Sequence, residues 1–179
     1  MDGNSKHLEQ SSARLMDANT RQFYDWTKNN RGYAVVALVN PKSPANIGGV
    51  LRASGCYGAS LVVLGGNRPY RLAGLITDTQ KAYRHIPHIY SENVLDVIPY
   101  DCVPIAVDLL PGAKPLPNYR HPERAFYIFG AEDATLGKAI TDRCRDKIII
   151  PTRLCMNLAA TVNVVLYDRM AKGNQNDGE

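Results

Sequence analysis

Short runs of almost unbroken apolar residues recur along this chain and alternate with segments of helical pattern. YAVVALV (33–39), SLVVLG (60–65), IPHIY (86–90), CVPIAVDLL (102–110), RAFYIFG (124–130) and KIIIP (147–151) read as strands. A strand without a polar face is buried on both sides, the habit of parallel sheets covered by helices. Between these runs, GGVLRASGCY (48–57), ENVLDVI (92–98), LGKAITDRCRD (136–146) and NLAATVNVVLYDRMA (157–171) read as helices, and 66–85 as part loop and part helix. The expected fold is α/β, a mainly parallel sheet with helices on both faces. Ligands of such sheets bind beyond the carboxyl ends of the strands. That rule singles out the loops after Val39, Asp108 and Phe129.

A chain of 179 residues with this apolar content suits one domain with a full core. Residues 5–28 read as a leading helix with Leu15, Phe23 and Trp26 on a shared face, ended by NNRG. The expected organisation is a helical extension over 1–30, a main domain over 31–172 and a loose tail over 173–179. No apolar run approaches the roughly 20 residues of a membrane span. The first residues lack the apolar stretch of a signal peptide, so a cytoplasmic location is expected. Cys56, Cys102, Cys144 and Cys155 form no C-x-x-C pair, which argues against a zinc or redox site and for buried free thiols. The formal net charge of +4 permits a polyanionic partner without requiring one.

Three loops hold the residues of chemical interest. In NPKSPANIGGVLRASGCYG a strand turns into a helix through prolines, asparagines and a glycine pair, with Arg52 expected at the start of that helix. In FGAEDATLGKAI, Gly130 lets backbone approach a ligand closely, and Glu132 and Asp133 precede a helix whose positive end favours carboxylates. In IPTRLCMNLAATVNVVLYD, Asn157 stands where an N-cap would, while Asn163 lies unusually inside the helix. Each has a plain structural reading as a cap or a surface residue. The chain carries no G-x-G-x-x-G fingerprint after its first strand, no phosphate loop, no H-E-x-x-H pair and no G-x-S-x-G elbow.

Taken together and in order, these loops resemble motifs one, two and three of the SpoU/TrmH family of SPOUT-class RNA ribose 2′-O-methyltransferases. The resemblance spans about residues 33–170. It implies a C-terminal deep trefoil knot, an exception to the rule that chains do not thread loops. It implies S-adenosyl-L-methionine as cofactor, no metal, and a homodimer whose final helix lies at the interface with the active site shared across it. Carried over by position, Asn46, Arg52, Glu132 and Asn157 are the implied catalytic residues. Val107, Asp108, Gly130, Ile150, Cys155, Met156 and Leu158 would border the cofactor. Two departures stand out. Cys155 replaces a usual serine, and Thr135 replaces a usual glycine, which would strain the turn if positive φ is required there.

The implied chemistry is methylation of a ribose hydroxyl in tRNA, or less readily rRNA. A guanidinium with a pKa above about 12 cannot act as base. Arg52 would instead hold a substrate phosphate and steady the developing alkoxide, or orient a phosphate oxygen that takes the proton. Asn46 would fix Arg52 or the ribose. Gly48 and Gly49 would leave room for substrate. Arg68, Arg71, Lys81 and Arg84, interleaved with Tyr70 and Tyr83, form a candidate RNA surface. His7, His88 and His121 read as structural or exposed. Two other readings compete: a catalytically weak or inactive RNA-binding module of the same fold, motivated by Cys155 and Thr135, and a nucleotide-dependent oxidoreductase on an ordinary doubly wound sheet.

Overall fold

The computed structural model describes residues 32–68, 75–79 and 81–173; the leading helix, Tyr70, Arg71 and the tail lie outside them. The strands are β1 (Tyr33–Val39), β2 (Leu61–Gly65), β3 (His88–Ser91), β4 (Val103–Val107), β5 (Lys114–Pro115), β6 (Arg124–Phe129) and β7 (Asp146–Ile149). They form one seven-stranded sheet in the order β3-β2-β1-β6-β4-β7-β5, and every pairing is parallel. β5 is the one strand the sequence hides. It is two residues long, one of them proline, inside a loop rich in turn formers.

Alternate residues of the apolar strands feed two cores, as burial on both faces requires. Val36, Leu38, Val62, Leu64, Ile105, Tyr127 and Phe129 face helices α1 (Pro44–Tyr57) and α3 (Leu158–Gly173). Val35, Ala37, Val63, Ala106, Phe126 and Ile128 face a thinner cover, made by the 3₁₀ turn Val94–Val97 and the region of α2 (Lys138–Thr141). Helix α2 is a single turn, far shorter than its sequence suggests. The chain must meet the sheet again by Arg145, whose N–H donates to the Pro104 carbonyl at 2.9 Å.

Helix α1 starts four residues earlier than its glycine pair suggests. Ser43 Oγ accepts from the Asn46 N–H at 3.4 Å, and Pro44 opens the first turn. Arg52 therefore sits well inside the helix. The two glycines admit close packing: Gly48 faces residues 75–79 and Gly49 faces α3. A Cβ on Gly49 would lie 2.7 Å from the Ala159 Cβ on α3, so its absence lets α1 and α3 approach closely. Within α3, Asn163 turns its amide back onto the Ala159 carbonyl at 2.8 Å, which satisfies a poor mid-helix residue locally.

At the amino end of β6, opposite the loops of interest, a polar network is buried. His121 bonds Tyr127 Oη through Nδ1 at 2.6 Å and Asp168 through Nε2 at 2.8 Å. Arg169, almost fully buried, donates to the carbonyls of Pro122 and Glu123, each at 2.6 Å. Burial pushes the His121 imidazole down to about 4 against the pull of Asp168, with Arg169 and Lys172 adding to the fall. His121 is thus a structural neutral histidine.

Two outcomes follow. Gly49→Val should destabilise the fold by about 1–3 kcal/mol through overpacking against Ala159, read as a lowered urea midpoint. Because the folded pKa of His121 lies below its ordinary 6.5, the unfolded chain binds the extra proton. Stability should be complete above pH 6.5 and fall as pH drops toward 4, and His121→Gln should flatten that slope in denaturant titrations between pH 7 and 5.

Candidate active site

Beyond the carboxyl ends of the adjacent strands β6, β4 and β7 lies a cleft of about 390 Å³. Val107, Phe129 and Ile149 close its base where the strands end, and the loops that follow them form its walls. Every residue expected to border a cofactor lines it: Val107, Asp108, Gly130, Ile150, Cys155, Met156 and Leu158. Leu109, in the loop after Asp108, lines it as well, and Ala131, Thr152 and Thr161 line it too and escaped the sequence reading. Thr161 was findable, since it follows Leu158 by three residues on one helix face. The charge of the lining is one-sided. Asp108, Glu132 and Asp133 contribute carboxylates, and no lysine or arginine is among the lining residues.

Asp108 fixes the cleft's shape. Its Oδ1 accepts from the Leu109 N–H at 2.7 Å and its Oδ2 from the Leu136 N–H at 2.6 Å, tying the loop after β4 to the loop after β6. Gly130 keeps this junction tight, because a Cβ there would stand 3.0 Å from the Ala134 carbonyl oxygen and 3.2 Å from Asp108 Oδ2. Thr135 causes no strain. Among the described non-glycine residues only Asn40 and Lys81 have positive φ, so the feared cost of threonine does not arise. Two thiols differ from expectation: Cys56 and Cys155 are exposed, while Cys102 is buried and Cys144 half-buried.

Glu132 does not cap the helix after it; the N-cap of α2 is Gly137. It reaches instead to the amino end of α1. Its Oε2 accepts from the Lys42 N–H at 2.9 Å, and its Oε1 from the Ser43 N–H at 3.1 Å and Asn46 Nδ2 at 2.7 Å. Burial raises the carboxyl's pKa, but these donors outweigh it and hold the group below its ordinary 4.5. Beside it, Lys42 Nζ lies 3.3 Å from Asp133. Asn46 is thereby committed to Glu132 and not to Arg52.

The other expected residues fall outside the cleft. Asn157 caps α3, its Oδ1 accepting from the Ala160 N–H at 2.7 Å, which is the plain reading of that residue. Arg52 is exposed on α1, and Nη1 donates to Thr79 Oγ1 at 3.2 Å. Arg68 is half-buried and donates to the Asn40 carbonyl at 3.0 Å, which ties it to the loop after β1. Lys81 and Arg84 are exposed, the latter over the Tyr83 ring at 5.6 Å. Among the described residues no group of three or more His, Cys, Asp or Glu side chains gathers so as to hold a metal ion. No described helix is long and apolar enough to cross a membrane.

Residues 33–167 match the family model described as the SpoU rRNA Methylase family. The chain belongs to this family. A search of curated proteins gives no match. Solved structures with the same fold include the SpoU methyltransferase AviRb from Streptomyces viridochromogenes, with TM-score 0.71 and 17% identity over 82% of this chain. AviRb has also been solved in complex with AdoMet, at TM-score 0.69 and 18% identity over 83% of this chain. The chain spans only 62% of AviRb's length. The A. aeolicus TrmH/SpoU tRNA modifying enzyme aligns at TM-score 0.69 and 14% identity, over 88% of this chain and 85% of its own. A structure described as giving insights into the 2-OH methylation of C/U34 on tRNA aligns at TM-score 0.68 and 19% identity, over 80% of this chain and 97% of its own. At these identities the likeness is one of fold.

Glu132→Ala removes one acceptor from three donors at once. Amide hydrogen exchange at Lys42 and Ser43 should quicken by about tenfold or more, while amides of the central strands keep their protection.

Proposed function

We propose that the protein is an S-adenosyl-L-methionine-dependent RNA methyltransferase acting on a ribose 2′-hydroxyl. One observation carries the reading: a carboxylate-lined cleft built by motifs two and three is fastened through Glu132 to the loop of motif one. The cofactor fits this cleft on size and charge. Its volume of about 390 Å³ lies in the usual range for small-molecule sites. Apolar walls from Val107, Ile150, Met156 and Leu158 suit a nucleoside, and the carboxylates suit a sulfonium cation. The same lining disfavours the pyrophosphate of a nicotinamide dinucleotide, so the oxidoreductase reading falls away.

When bound, the cofactor supplies an electrophilic methyl group. The chain's own residues do the rest. Val107, Asp108, Gly130, Ile150, Cys155, Met156 and Leu158 hold the cofactor in this reading. Glu132 and Asn46 set the position of the loop that leads into α1. Arg52 grips a substrate phosphate, one of whose oxygens takes the hydroxyl proton, and stabilises negative charge growing on the attacking oxygen. Asn157 keeps its helix capped beside Met156 and Leu158.

Arg52 does not line the cleft of its own chain, which supports a homodimer in which it serves the partner's cleft. The outer surface of α3 suits that pairing. Tyr167 is exposed and meets Tyr57 edge-on, with ring centroids 6.2 Å apart. The family's deep knot and a cytoplasmic location complete the reading. Lys81 and Arg84 are its exposed RNA contacts, and Arg68 stands nearer the sheet; Arg71 lies outside the described residues. Transfer RNA is favoured over rRNA. The structure described as concerning 2-OH methylation of C/U34 on tRNA is covered almost end to end by this chain, which supports that preference.

The test is labelled methyl transfer to bulk tRNA. Arg52→Ala should lower the rate by about 10²–10³ while cofactor affinity stays within twofold. Mixing Arg52→Ala with a variant blocked in the cleft, such as Gly130→Val, should restore activity, because one site of the mixed dimer is then whole. Cofactor binding by the wild-type chain without ribose labelling would favour the inactive RNA-binding module.

A further inference from the structure

We infer that Thr79 is a positioning residue for Arg52, holding its guanidinium ready before substrate arrives. The inference rests on the catalytic role proposed above for Arg52. Among the described residues, Thr79 Oγ1 at 3.2 Å is the one hydrogen-bond acceptor that Arg52 meets. A long exposed side chain loses substantial rotamer freedom when fixed, and fixing it in advance removes that loss from the reaction step. The chemistry of the partner matters. A carboxylate here would neutralise the guanidinium; a hydroxyl orients it and leaves the full charge for a phosphate or a growing alkoxide.

A tether is useful only if it is itself held, and residues 75–79 are. Asp78 is 4% exposed, and its two oxygens accept from the Ala82 N–H at 2.7 Å and the Tyr83 N–H at 3.1 Å. Thr77 Oγ1 donates to the Ala45 carbonyl at 2.6 Å, on the first turn of α1. Leu75 packs against the main core. The segment crosses α1 at Gly48, where a Cβ would stand 3.1 Å from the Asp78 nitrogen and 3.2 Å from the Leu75 Cβ. Gly48 and Arg52 are four residues apart and share a helix face. The glycine thus admits the segment that delivers Thr79 to the arginine. The pattern accounts for three features the catalytic reading leaves unused: the glycine, the buried aspartate and the threonine.

The experiment compares Thr79→Val, which keeps the shape and loses the acceptor, with Thr79→Ser, which keeps the acceptor. Thr79→Val should lower kcat about tenfold with an unchanged cofactor KM, and Thr79→Ser should restore kcat. In parallel, the guanidinium ¹⁵N signals of Arg52, assigned through Arg52→Lys, should show slowed rotation in the wild type and Thr79→Ser and free rotation in Thr79→Val. Thr79→Val with wild-type kcat, or with Arg52 signals unaltered, overturns the inference. If the wild type transfers no methyl group, the proposed activity fails, and the Arg52 signals still decide whether Thr79 holds it.

Discussion

A single carboxylate joins two loops that lie 86 to 90 positions apart in the sequence. Glu132, just past the end of β6, accepts from two backbone N–H groups and one side-chain amide at the amino end of α1. Its negative charge sits at the positive end of that helix, where the first N–H groups lack partners within the helix. One wall of the cleft and the helix that carries Arg52 are therefore one mechanical unit. The Lys42–Asp133 pair runs alongside, but both partners are largely solvated, so it adds little stability.

Parallel strands deliver this unit. Because β1, β6, β4 and β7 run the same way, their carboxyl ends open on one side of the molecule, and four loops meet there. At the opposite end the chain spends polar groups on structure, binding His121, Tyr127, Asp168 and Arg169 into a closed network. The division is electrostatic as well. The cleft collects carboxylates, while exposed cations such as Arg52, Lys81 and Arg84 lie on other elements. That separation suits a cationic cofactor in the cleft and a polyanion gripped from outside it.

Much of this was legible in the chain itself. Buried strands announced themselves as apolar runs, and the loops of motifs two and three, with Val107 and Asp108 at the end of CVPIAVDLL, held the expected cofactor-side residues that line the cleft. Helix ends were less legible. The start of α1 was obscured because Gly48 and Gly49 look like breakers, whereas Gly49 accommodates Ala159 and Gly48 accommodates residues 75–79. Helix α2 was overread because its length is set by the need to rejoin β4, a constraint absent from local propensity. Asn157 was read as catalytic and as a cap, and its side chain makes the cap.

By itself the sequence determined which apolar segments are strands, that the sheet is mainly parallel, and which loops carry the residues of chemical interest. Those properties follow from residue type and short-range periodicity, which any stretch of chain carries with it. Only the tertiary structure decided the partners: that Glu132 holds Asn46, that Asp108 holds Leu136, and that Arg52 meets Thr79. Hydrogen bonds of this kind act over about 3 Å between residues tens of positions apart. Nothing local specifies such distances until the sheet has brought its loops to the same end.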